Sequence, residues 1–123
     1  MMLPSYWIEF LDSHDLRGKT CSLSNADDAS GIGVDLAVFS EEESLDEATN
    51  FYPGIVVAVD GYVPVARCLS GSGDPYFIKT SEGSGGRLYR VYHDAVDPDG
   101  YKAEDAVAIV LPNYEKLLQH IEL

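Results

Sequence analysis

Apolar residues recur along this chain with two different periods, and the changes between them mark its elements. After Pro4, which can open a helix without losing a hydrogen bond, "SYWIEFLDSH" gathers Trp7, Ile8, Phe10 and Leu11 on one broad face. That spacing predicts an amphipathic helix ending near "DLRGK", where Gly18 can take the left-handed conformation of a helix stop. The polar run 22–33, "SLSNADDASGIG", shows neither period and reads as a loop. "VDLAVFS" alternates, with Val34, Leu36 and Val38 on one side, as a strand does. Ser40 followed by Glu43 fits a capping box, so a helix opens at Glu41, turns Leu45, Ala48 and Thr49 inward, and stops at Pro53-Gly54. Three glutamates in its first turn suit the positive end of the helix dipole and need no metal to explain them.

"IVVAVD" and "YVPVARCL" read as strands joined around Gly61, with Pro64 demoting the second to an edge or irregular position. "PYFIKT" and "RLYRVY", rich in β-formers, flank the turn-forming "SEGSGG", which is the pattern of a β-hairpin. Tyr76 and Ile78 would share one side of it and Phe77 and Lys79 the other; Tyr89 and Val91 would oppose Leu88, Arg90 and Tyr92. Both faces are partly apolar, as expected of central strands. A second loop, "DAVDPDGYKAED", leads to the strand "AVAIVL". The chain closes on "PNYEKLLQHIEL", where Tyr114, Leu117, Leu118 and Ile121 fall at helical spacing after Pro112. Helix, strand, helix, several strands and helix make an α+β chain, its sheet antiparallel or mixed, with short helices packed against it. At 123 residues, without a repeat or linker, it is expected to form one domain over 1–123.

Charge changes the picture more than length does. Twenty-one acidic side chains face 8 basic ones, a formal net charge of −13 that repels nucleic acid and favours a basic partner. Such an excess also serves solubility alone. No apolar run reaches the roughly 18 residues of a membrane span, and "MMLPSYWIEF" lacks the features of a secretory leader, so no membrane association is expected. Cys21 and Cys68 are far apart and form no CxxC pair, which suits free, buried thiols in a reducing cytoplasm.

Little in the sequence asks for catalysis. Gly71-Ser72-Gly73 runs into Asp74-Pro75 and then strand formers, so it has neither the helix N-terminus nor the lysine of a phosphate loop; a turn is the better reading. His93-Asp94 could be an acid/base pair or two metal ligands of a small hydrolase, but His14 and His120 lie on predicted terminal helices and no third ligand is evident. A histidine ordering a loop is favoured instead. "DPDG" echoes a calcium loop yet lacks both anchoring carboxylates, leaving at most a weak cation site at Asp94, Asp97 and Asp99. Cys68 paired with His93 would need a basic neighbour or helix start to activate the thiol, and none is apparent. Tyr89, Arg90 and Tyr92 interleave as in nucleic-acid binders, but the surrounding charge has the wrong sign.

Four stretches, in order, resemble the SUKH superfamily, which includes bacterial toxin-immunity proteins and fungal cell-wall assembly regulators. These are "LPSYWIEFL", "GSGDPYFIKT", "GGRLYRVYHD" and "VAIVLPNYEKLLQHI". Members usually carry a further helix before the Leu-Pro motif, which here begins at Leu3, so Trp7 and its neighbours, or another subunit, would have to close that face of the sheet. The resemblance implies an α+β fold, no catalytic residue, no cofactor and no metal, and it makes Gly73, Asp74, Tyr89, His93 and Asp94 scaffold positions. It further implies binding to a toxin domain, for which a basic nuclease is a fitting partner, by a monomer or weak homodimer; a regulatory scaffold with a cellular protein partner is the alternative. From predicted exposure, the acidic contacts would be Asp27, Asp28, Glu41, Glu42, Asp97 and Asp99, and the aromatic anchors Tyr62, Tyr76 and Tyr101.

Overall fold

The structure, a computed structural model, describes residues 3–122; Met1, Met2 and Leu123 of the expected domain lie outside the described residues. Its centre is a six-stranded sheet in the order β1 (Thr20–Leu23), β2 (Val34–Val38), β3 (Tyr62–Cys68), β4 (Tyr76–Lys79), β5 (Leu88–Val91), β8 (Val107–Leu111). All five pairings are antiparallel, and helices pack against the sheet, so the fold class is α+β. Two short strands, β6 (Val96–Asp97) and β7 (Gly100–Tyr101), form a separate ribbon.

The alternation anticipated for the hairpin divides the interior in two. On one face Tyr76, Ile78 and Leu88 join Val34, Leu36, Val38, Val63 and Val110 in the larger apolar cluster. Helix α1 (Ser5–His14) covers it with Trp7, Phe10 and Leu11. Trp7 stands edge-on to Tyr114 with ring centroids 5.2 Å apart, and Phe10 lies 4.9 Å from the same tyrosine. Burying each such side chain contributes about 1.5–3 kcal/mol, and α1 thus closes this face from within the chain. On the opposite face Phe77, Tyr89 and Val91 pack with Val57, Tyr62, Val96 and Ala106 in a smaller cluster.

Three local expectations need correcting, and a fourth is narrowed. The stretch read as loop from Ser22 begins inside β1, whose Ser22 and Leu23 pair with Asp35 and Val34. Of the two positions expected for Pro64, edge or irregular, it takes the irregular one, in a central strand: β3 shifts register against β4 between Pro64 and Ala66, a bulge of the kind that accommodates a residue lacking an N–H. "IVVAVD" is no strand but one turn of helix, α3 (Gly54–Val57), continued by a 3₁₀ turn at Ala58–Asp60. The C-terminal helix is a 3₁₀ helix, Tyr114–Gln119, begun at Asn113, whose side chain accepts from the Glu115 N–H.

Helix α2 (Glu41–Asn50) opens with the expected capping box: Glu43 N–H donates to the Ser40 hydroxyl and the Ser40 N–H to the Glu43 carboxylate. Its buried positions are Ser44 and Ala48; Leu45 is half-buried and Thr49 exposed. Helix α3 approaches so closely that a Cβ on Gly54 would run into the Glu47 carbonyl, so glycine is required there. The β1 edge of the sheet is covered by the chain's end, with Ser22 N–H donating to the His120 carbonyl and Glu122 N–H to that of Thr20.

Candidate functional site

Immediately after α2 the chain exposes more apolar surface than its composition would suggest. Phe51, Tyr52, Ile55 and Val59 are all exposed, Val59 to 82%. Ile55 and Val59 are four residues apart, so the turn of α3 and its 3₁₀ extension carry them along one outward side while Val57 points into the smaller cluster; Phe51, with extended backbone, ends α2. Tyr52, Ile55 and Val59 thus present an apolar surface to solvent, the inverse of the covered face of α1.

Across from it stands the β6–β7 ribbon. Between the two lies an open groove of about 440 Å³, lined by Tyr52, Ile55, Val56 and Val59 on one side and Pro98, Asp99, Gly100 and Tyr101 on the other. The walls are tied by the Tyr101 hydroxyl, which donates to Asp60 at 2.5 Å. Burial and that carboxylate together hold the Tyr101 proton well above the ordinary phenol range. A second hollow of about 510 Å³ continues around the ribbon past Asp97, Lys102 and Asp105. The linings hold four aspartates, Asp60, Asp97, Asp99 and Asp105, against one lysine, Lys102. The groove and hollow thus combine apolar walls with an excess of carboxylates.

The expected contact residues separate into groups. Asp97 and Asp99 are exposed and meet Tyr101 at this groove. Glu42 is exposed on the first turn of α2, where Glu41 is engaged by Arg17, Oε1 lying 2.6 Å from Nε. Asp27 is exposed in the 24–33 loop. Three of the choices are overturned by burial, because each has a role inside the fold. Tyr62 belongs to the smaller cluster, edge-on to Tyr89 at 5.5 Å. Tyr76 is fully buried in the larger cluster. Asp28 is buried too: it accepts from Ser30 N–H at 2.8 Å, Ser30 hydroxyl at 2.7 Å and Gly33 N–H at 3.0 Å, and so folds the polar run that looked featureless.

The groove's other wall is not what the sequence leads one to expect. Ile55, Val59 and Asp60 fall in the stretch expected to be a strand and Tyr52 at the expected end of α2, although Ile55 and Val59 carry helical spacing and Pro53 stands where a helix can start.

The scaffold residues occupy one corner of the sheet and its neighbour. His93 lies between two carboxylates, Nδ1 2.6 Å from Asp74 and Nε2 2.9 Å from Asp94. Gly73 has φ +77°, and a Cβ there would meet the His93 ring at 3.4 Å. The Tyr89 hydroxyl donates to Glu82, which also receives the Arg87 N–H at 2.8 Å and fixes the glycine-rich turn. Among the described residues no group of three or more His, Cys, Asp and Glu is placed to hold a metal ion, and no helix is long and apolar enough to cross a membrane.

The two cysteines differ. Cys21 is fully buried, and burial, with Glu122 nearby, pushes its thiol up to about 11. Cys68 was expected to be buried and inert but is half-buried at the end of β3. Its burial acts to raise the thiol, but hydrogen bonds from the side chains and amides of Ser70 and Ser72 outweigh this and bring it down to about 7. No basic group is needed for that effect, so the search for a basic neighbour of the thiol could not find it.

No family model, curated protein or solved structure matches the chain.

Proposed function

We propose that this chain is a non-enzymatic, acidic protein-binding domain of the immunity type, which binds a toxin domain with a basic surface and neutralises it by occlusion. The observation that carries this reading is the exposed apolar wall of Tyr52, Ile55 and Val59 along a groove that Asp60 and Asp99 also line, with Asp97 in the adjoining hollow. Apolar anchors at the centre of an interface supply affinity, and a ring of like charge speeds encounter and selects partners of opposite sign. The resemblance to the SUKH superfamily supports the same reading, as does the formal charge of −13. Both nitrogens of His93 are engaged by carboxylates of the fold, which speaks for a positioning role over a catalytic one.

The test is coexpression with a toxin domain encoded beside the gene, followed by binding of the purified pair. Rescue of growth, with an affinity in the nanomolar class that weakens as salt rises, is the expected result. Toxicity undiminished by coexpression, with no complex at low salt, overturns the proposal.

A further inference from the structure

Cys68 stands in a setting that the binding function does not use. After β3 the chain folds back over its own sulfur, so that Ser70 Oγ lies 3.1 Å and Ser72 Oγ 3.0 Å from Sγ. Tyr76 of β4 lies in the larger apolar cluster against which Cys68 packs; burial raises its phenol, and the nearby thiol adds to that. The Tyr76 side chain is fully buried, yet its hydroxyl finds no hydrogen-bond partner among the described residues. A buried, unpaired hydroxyl is costly, and one beside a thiol is placed to donate to an oxygen added to the sulfur.

We propose that Cys68 is an oxidation site that reacts with hydroperoxides, and that its sulfenic acid is held by the hydroxyls of Ser70, Ser72 and Tyr76. The thiolate sulfur attacks one peroxide oxygen; the S–O bond forms as the O–O bond breaks, sulfur loses two electrons, and the leaving oxygen takes a proton to depart as water or alcohol. The added oxygen supplies the acceptor that the Tyr76 hydroxyl lacks. A small-molecule thiol reverses the change by attacking the sulfenic sulfur, forming a mixed disulfide and releasing water, after which a second thiol frees Cys68. With its thiol near 7, about half of Cys68 is thiolate at neutral pH, whereas Cys21, near 11, is almost wholly protonated.

The whole chain is treated with hydrogen peroxide at pH 7 in the presence of a cyclic 1,3-diketone that captures sulfenic acids, and each cysteine is followed by peptide mass. Labelling of Cys68 at least about tenfold faster than Cys21, abolished by Cys68→Ser, is expected. Tyr76→Phe removes only a hydroxyl that bonds to nothing, so it should fold as the parent does while the sulfenic acid lasts several-fold less long before further oxidation. Equal labelling of the two cysteines, or a lifetime unchanged by Tyr76→Phe in a protein with the parent's circular dichroism, overturns the proposal.

Discussion

One carboxylate oxygen of Asp74 meets His93 twice, accepting its backbone N–H at 2.9 Å and facing ring Nδ1 at 2.6 Å. A carboxylate oxygen offers only lone pairs, so it can accept at both contacts. The pair ties the loop after β3 to the turn after β5, with Gly73 leaving room for the ring. Asp74 is itself nearly buried, so removing it strands two donors. Asp74→Ala should cost about 1–3 kcal/mol and His93→Ala less, since the backbone contact survives the second change. Urea unfolding with an unchanged m-value measures both; a His93→Ala loss as large as that of Asp74→Ala would contradict this account.

Arg90 is a deeply buried charge, its side chain 2% exposed. It donates to the Gly33 carbonyl at 2.8 Å, lies 3.5 Å from Asp28, and stacks over the Tyr76 ring at 5.2 Å. Replacement by Met leaves Asp28 buried without its counter-charge and should cost about 3–5 kcal/mol. Arg90→Lys should rescue little of this, because a point charge cannot both stack on the ring and reach two acceptors. Thermal unfolding of the two variants decides it: a lysine variant as stable as the parent would show that charge alone suffices.

Glu82 sets a pH dependence. Burial pushes its carboxyl up, but hydrogen bonds from Tyr89 and Arg87 outweigh that and hold it below the usual carboxylate range. A carboxyl depressed in the folded state contributes stability that is complete above its unfolded value, about 4.3, and is lost as pH falls through the folded value. The parent should therefore be more stable than Glu82→Gln near neutrality, and the two denaturation midpoints should converge below about pH 4. A gap that widens on acidification has the wrong sign for this arrangement.

Val59, 82% exposed, separates binding from folding. Val59→Asp should leave stability within about 0.5 kcal/mol of the parent. At the centre of an interface it should weaken the complex by about 2 kcal/mol or more, roughly thirtyfold. Asp99→Asn, on the rim, should act on association rate and its salt dependence instead. Titration calorimetry and stopped-flow association distinguish the two behaviours, and a Val59→Asp complex as tight as the parent's would move the interface elsewhere.

Where a single local rule decided, the sequence was readable. The capping box at Ser40, the inward face of α1 and the two-sided alternation of Tyr76 to Ile78 and Leu88 to Val91 all follow from spacing. Where tertiary packing decided, it was not. "IVVAVD" is as β-prone as any strand here, and it becomes helix because Gly54 lets the turn lie against α2 and Val57 fills a gap in the smaller cluster. Pro64 is tolerated centrally because a bulge absorbs it. Exposure was the least legible property: Asp28 and Tyr76 look like surface residues until Arg90, sixty-two positions from Asp28, is seen between them.

The sheet's two apolar faces are separate, and α3 and the β6–β7 ribbon rest on the smaller of them. Change can therefore accumulate at different speeds on the two sides. The tryptophan side acts as a keel that keeps the chain foldable, while the outward side chains of the ribbon and the short helix can be exchanged without disturbing it.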